Sequence, residues 1–198
     1  AMNCQVSEHS IFERKNYFYP DLPKGYQISM YRQPLTRNGY VEINTDGIRK
    51  RIGIRRVHLE DDAAKLVHTG EIDESITSSV DFNRSGVPLI EIVSEPDMSS
   101  PEEMKAYYEA VKSILEYTGV SDCDMEKGQL RIEANINVRS RDNPGVSTER
   151  SEIKNLNSIR YAMRAVEYEI ERHTRALESG KILRMETRLF DAEKGVTR

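Results

Sequence analysis

Three carboxylates stand inside stretches that read as β-strands: Glu60 in IRKRIGIRRVHLE, Glu91 in VPLIEIV and Glu133 in LRIEANINVR; Glu186 in ILRMETRLFD offers a fourth. Carboxylates gathered on one sheet face repel each other, and the usual remedy at neutral pH is a hard divalent cation held by oxygen ligands. Magnesium suits this role, since it is commonly held by one or two carboxylates together with substrate phosphates. An acidic sheet face flanked by Arg and Lys would serve phosphoryl transfer, where metal and side-chain cations neutralise charge on the transferred group. Read singly, Glu60 and Glu133 also fit solvated strand-face carboxylates, and His58 a structural or surface histidine. Glu91 has apolar neighbours on both sides, which predicts burial. An ionised carboxylate in a dry interior needs a metal or a buried ion pair. The chain has neither a Walker-type glycine loop nor a dinucleotide glycine fingerprint, so a nucleotide site would be of another kind.

The elements that must position these groups follow from periodicity. YQISMYRQ (26 to 33) reads as a strand, and YVEIN with IRKRIGIRRVHLE as a hairpin turning at Thr45, Asp46 and Gly47. Side chains alternate along a strand, so the second arm, if regular, puts Ile52, Ile54, Arg56, His58 and Glu60 on one face and Arg55, Val57 and Leu59 on the other. The segment from Ala64 to Ser79 reads as a loop with a short helical piece, and VPLIEIV as the next strand. Ser100 is a natural N-cap for a helix with Pro101 in its first turn and Glu102 and Glu103 complementing the dipole; Gly119 closes it. On that helix Met104, Tyr108 and Leu115 are expected in the core. In LRIEANINVR (130 to 139), Leu130, Ile132, Ala134, Ile136 and Val138 alternate with Arg131, Glu133, Asn135, Asn137 and Arg139. SEIKNLNS then leads into a helix from about Ser158 to Leu177, and ILRMETRLFD is a last strand. His9, His68 and His173 read as surface residues. Strand pairs separated by two helices predict an α+β fold with a mainly antiparallel sheet.

Composition sets the outer limits. The 198 residues carry 29 Lys plus Arg against 33 Asp plus Glu, a formal charge of -4, so no global basic field captures nucleic acid. Local stretches such as RKRIGIRR (49 to 56) and RSRD (139 to 142) would have to supply such contacts. Cys4 and Cys123 are the only cysteines and lack ligand spacing, which points to a reducing cytosol without disulfide framework or zinc site. No apolar run approaches the roughly 20 residues that span a membrane.

Five stretches carry more specific information than their spacing. FERKNYFYPDLPKGYQIS (12 to 29), HLEDDAAK (58 to 65), DFNRSGVPLIEIVSEPD (81 to 97), GQLRIEANINVR (128 to 139) and EIKNLNS (152 to 158) resemble, in this order, the successive signatures of the B-subunit family of aspartyl/glutamyl-tRNA amidotransferases. The resemblance covers essentially the whole chain. It implies one catalytic domain over residues 1–198, built as a cradle similar to that of glutamine synthetase, and cut from a longer protein with an additional N-terminal strand and C-terminal helical tail domains. It also implies a cytoplasmic heterotrimer, completed by the A and C subunits, that converts glutamate misacylated onto the glutamine tRNA, or aspartate misacylated onto the asparagine tRNA, into the amide. ATP and magnesium would activate the side-chain carboxylate, and ammonia from the glutaminase partner would displace phosphate.

On this resemblance Glu60 and Glu91 match positions that look like magnesium ligands, and Glu133 is carried over with them as catalytic and metal-binding. Glu133 stands where the family commonly has Asp, Asp61 replaces a more usual Glu, and Ala64 replaces a Gly. Arg14, Lys15, Arg131 and Lys154 become candidates for phosphate or acceptor-end contacts, while Asn135, Asn155 and Asn157 could hydrogen-bond substrate. Arg14 and Lys15 could instead pair with Asp21 or a neighbouring protein of the complex, and Asn157 could simply cap the following helix. Two other functions stay open: a non-catalytic scaffold for RNA or partner proteins, and a glutamine synthetase-type ligase acting on a free amino acid.

Overall fold

The computed structural model describes residues 1–68 and 78–198. It divides into two compact units, Ala1–Val41 with Arg51–Asp97, and Glu42–Lys50 with Met98–Arg198. Within the described residues the α+β expectation holds: the sheets are mainly antiparallel and there are two α-helices.

The first unit is built on a sheet of order β1-β4-β5-β8, from β1 (Gln5–Val6), β4 (Thr36–Thr45), β5 (Ile48–Asp61) and β8 (Pro88–Ser94). The hairpin between β4 and β5 turns at Asp46 and Gly47, both with positive φ (52° and 82°), which is the two-residue turn whose twist matches antiparallel strands. Along β5 Ile52, Ile54, His58 and Glu60 are buried, but the expected single face does not run unbroken, because the pairing with β8 shifts between Ile54 and Arg56. Gly39 on β4 lies where a Cβ would stand 2.6 Å from the Met2 carbonyl oxygen and against the Cys4 sulfur, so the N-terminal segment can cross β4 only over a glycine. A two-stranded ribbon pairs β2 (Glu13–Asn16) with β3 (Tyr26–Ser29), shorter than the eight-residue strand expected there. The expected loop from Ala64 instead holds β6 (Lys65–His68), paired antiparallel with β7 (Ser78–Asp81). The helical piece expected between them would lie outside the described residues.

In the second unit, α1 (Pro101–Tyr117) starts as its sequence dictates, the Ser100 side chain accepting from the Glu103 N–H and Pro101 occupying the first turn. Val111 and Leu115 are its buried apolar residues; Met104 and Tyr108, expected in the core, are half-buried. The sheet runs β12-β11-β10-β9, from β9 (Ile132–Ile136), β10 (Ser151–Leu156), β11 (Glu186–Asp191) and β12 (Val196–Thr197). Strands β10 and β11 are parallel and joined through α2 (Ile159–Glu178), a crossover unit that the mainly antiparallel reading did not anticipate. The SEIKNL part of SEIKNLNS is therefore itself a strand rather than a lead-in. Ile153, Leu156, Ala162, Ala165 and Phe190 form the core between this sheet and α2.

His173, expected at the surface, is fully buried, because it faces the sheet from α2 one turn after Glu169, which is also fully buried. Its Nδ1 lies 2.7 Å from Thr148 Oγ1, and its Nε2 lies 3.0 Å from Ser151 Oγ and 3.1 Å from Glu169 Oε2. Arg172 donates to both oxygens of Glu169 at 2.9 and 2.7 Å, Arg188 of β11 approaches within 3.3 Å, and the Thr197 hydroxyl of β12 donates to the same carboxylate. Burial would push this carboxyl upward, but the hydrogen bonds from His173, Arg172 and Thr197 outweigh it and lower it from 4.5 to about 2. His9 is exposed as expected. No helix among the described residues is long and apolar enough to cross a membrane.

Candidate metal and phosphate site

On the first unit's sheet, antiparallel register sets His58 of β5 directly opposite Glu91 of β8, and Glu60 follows His58 two residues along the same face. Their ligand atoms lie within 4.8 Å of one another. His58 Nε2 is 3.3 Å from Glu60 Oε1 and 3.5 Å from Glu91 Oε2. His58 and Glu60 are only 2% and 7% exposed, whereas the Glu91 side chain is 43% exposed. The burial expected of Glu91 is thus incomplete. Strand β8 lies at the outer position of its sheet and its apolar neighbours are half-buried or, in Ile90, exposed. The cluster consequently has two sheltered groups and one that reaches toward solvent.

The ribbon supports Glu60 from a second direction. Gln27 and Ser29 alternate onto one face of β3, where Gln27 Nε2 donates to Glu60 Oε2 at 2.9 Å and Ser29 Oγ to Glu60 Oε1 at 2.7 Å. Lys15 sits opposite Gln27 in the ribbon and brings its Nζ to 3.9 Å from Glu60 Oε1. Burial raises the Glu60 carboxyl, but His58, Ser29 and Lys15 prevail and hold it below its ordinary value. Glu91 is lowered chiefly by its hydrogen bond with His58. Burial in turn lowers His58, yet hydrogen bonds to Glu60 and Glu91 overcome this and raise it from 6.5 to about 9. One feature opposes that charged form: the buried His58 Nδ1 has no hydrogen-bond partner, so an imidazolium leaves an N–H unsatisfied.

Two carboxylates and one imidazole converging form a donor set that could hold a divalent cation: the carboxylates suit magnesium or manganese, while the imidazole also admits softer ions such as zinc or iron. To ligate through Nε2, His58 must be neutral, and two ionised glutamates beside it supply the compensating charge.

The other expected site residues distribute as follows. Arg14 stacks over the Tyr26 ring at 5.2 Å, and Lys15 takes Glu60 rather than Asp21. Glu133 lies in the second unit on β9, where Lys154 holds it at 3.2 Å and also approaches Glu152 at 3.7 Å. Asn135 and Arg131 are exposed on the same stretch. Glu186 takes Arg172 at 3.0 Å and Arg188 at 3.3 Å. Asn155 adopts a positive φ of 64° and donates to the Phe190 carbonyl at 3.0 Å, while Asn157 donates to Asn155 at 3.1 Å; the cap of α2 is Ser158. His58 joins the cluster with Glu60 and Glu91, although on its own in the sequence it fits a structural or surface histidine. Its signal was present, since strand alternation already put it on the face of Glu60.

A model of the GatB/GatE catalytic domain matches residues 1–198. The chain is 53% identical over 197 residues to the B subunit of the aspartyl/glutamyl-tRNA(Asn/Gln) amidotransferase of Carboxydothermus hydrogenoformans, covering 100% of this chain and 41% of that protein. It is 55% identical over 191 residues to the protein of the same name from Geobacillus kaustophilus, covering 96% of this chain and 39% of that protein. For the Thermoanaerobacter sp. (strain X514) counterpart the identity is 54% over 200 residues, with 100% and 40% covered. The chain thus spans about two fifths of the length of these relatives, and it belongs to the GatB/GatE catalytic domain family.

Proposed function

We propose that this chain is the catalytic core of the tRNA-modifying subunit of an amidotransferase. It would activate the side-chain carboxylate of glutamate or aspartate misacylated onto tRNA(Gln) or tRNA(Asn), within a cradle like that of glutamine synthetase. In this reaction a carboxylate oxygen attacks the terminal phosphorus of ATP and ADP leaves. Ammonia supplied by the glutaminase (the A subunit), which the small C subunit holds against this one, then attacks the acyl carbon, losing a proton as inorganic phosphate departs. The observation that carries the reading is the convergence of His58, Glu60 and Glu91 on one sheet face in a member of this family.

Magnesium bound there would screen repulsion between two anionic reactants and hold phosphate oxygens in line. The chain's own residues do the rest. Gln27 and Ser29 fix the Glu60 rotamer, Lys15 adds positive charge beside it, and Glu91 remains accessible to an incoming ligand. The test is calorimetric titration of a non-hydrolysable ATP analogue into the intact enzyme, with and without magnesium, for wild type, Glu60→Gln and Glu91→Gln. Magnesium-dependent binding lost in both variants is expected; binding that is indifferent to magnesium, or to both substitutions, refutes the assignment.

A further inference from the structure

Arg56 stands two residues before His58 on β5, on the face that carries His58 and Glu60, and is therefore about 6.6 Å of strand away from the cluster. An irregularity in the pairing of β5 with β8 falls between Ile54 and Arg56, the kind of feature that re-aims a side chain next to a site. The guanidinium lies over the Tyr31 ring, 4.8 Å from its centroid. Its Nε is buried and has no hydrogen-bond partner. Among the described residues no carboxylate pairs with Arg56, although two lie on the same face. Its neighbour Arg55 shows the contrast: Glu95 takes it with hydrogen bonds of 2.7 to 3.2 Å.

A guanidinium offers five donors in a flat fork and accepts nothing, so a half-buried arginine held by an aromatic face and lacking a carboxylate is suited to an external oxyanion. Stacking on Tyr31 fixes the plane of the fork without consuming any donor. We infer that Arg56, steadied by Tyr31, forms an oxyanion subsite beside the His58–Glu60–Glu91 cluster. It receives an oxygen of the terminal phosphoryl group or of the carboxylate to which that group is transferred. This inference rests on the function proposed above, and the two sources share one chemistry, a planar or tetrahedral oxyanion recognised by a fork of N–H donors.

The experiment uses the intact amidotransferase as wild type, Arg56→Met and Arg56→Lys, with thermal unfolding as a check on folding. Titration calorimetry gives the affinities for the magnesium complexes of ADP and of a non-hydrolysable ATP analogue; steady-state kinetics give KM for the misacylated tRNA. Loss of charge-assisted hydrogen bonds should weaken the affected ligand by about 10- to 100-fold. If the subsite takes the terminal phosphoryl group, Arg56→Met weakens the triphosphate analogue by that factor and leaves ADP unchanged. If it takes the carboxylate, both nucleotides bind normally and KM for the tRNA rises by a similar factor. In either case Arg56→Lys, which keeps the charge but not the fork, recovers only part of the loss. Should Arg56→Met fail to fold, Arg56→Lys and Tyr31→Leu carry the same comparison. Affinities and KM all within twofold of wild type overturn the inference. Failure of the wild-type enzyme to bind any nucleotide with magnesium would instead overturn the function on which it rests.

Discussion

Replacing Glu169 by Gln removes the fully buried carboxylate that Arg172, Arg188 and His173 contact, leaving Glu186 to both arginines, while preserving side-chain size. The carboxyl is lowered from 4.5 to about 2 in the folded protein, and at about 1.4 kcal/mol per pH unit this gap corresponds to about 3 kcal/mol. Because the folded value lies below the unfolded one, that contribution is complete above pH 4.5 and is lost as pH falls toward 2. Breaking one side of a buried ion pair typically costs about 3 to 5 kcal/mol. Arg172 and Arg188 retain some contact with solvent, which favours the lower end. We therefore expect Glu169→Gln to lose about 2 to 3 kcal/mol at pH 7 and to show a flatter stability profile between pH 4.5 and 2. Chemical denaturation at a series of pH values measures both. A variant within 0.5 kcal/mol (roughly the scatter of surface substitutions) of wild type at pH 7, or one with an unchanged acid limb, would refute the account.

In protein freed of metal by chelation, the His58 imidazole should titrate at about 9 by NMR. Its stabilising contribution is complete below 6.5 and lost as pH rises through 9, and Glu60→Gln or Glu91→Gln should draw the titration downward; a wild-type value at or below 6.5 contradicts the geometry. Gly39→Ala should cost about 1 to 3 kcal/mol and loosen the N-terminal segment, since the Met2 carbonyl cannot yield without breaking its hydrogen bond from the Tyr40 N–H; an unchanged midpoint of denaturation would count against it. Ser158→Ala should lose about 1 kcal/mol and fray the first turn of α2, where the side chain accepts from the Tyr161 N–H at 3.1 Å, with hydrogen exchange of that turn as the readout.

Much of this was legible where a local rule had a single solution. Alternation in β5 already placed His58 beside Glu60, the caps and apolar spacing defined α1, and Asp46-Gly47 marked the hairpin. Other features depend on partners that the sequence does not rank. The apolar VPLIEIV looked enclosed, but whether a strand is central or outer is decided by sheet order, and β8 is outer. Ser151–Leu156 is polar enough to hide a strand, and the buried Ser151 has its hydroxyl met by both His173 and Arg172. Likewise Glu169 and His173 on α2 resemble surface charges until Arg172, Arg188 and Thr197 surround them. Periodicity shows which face a residue occupies; it does not show what covers that face.

The three groups of the candidate site come from two adjacent strands, His58 and Glu60 from β5 and Glu91 from β8. Their spacing is set by the backbone ladder, not by a loop that a ligand must first order. The entropic cost of assembling the site was therefore met during folding, and what remains at binding is mainly rotamer freedom of Glu91, the one member open to solvent. Such a centre is preorganised on its fixed side and adaptable on the side from which a ligand arrives.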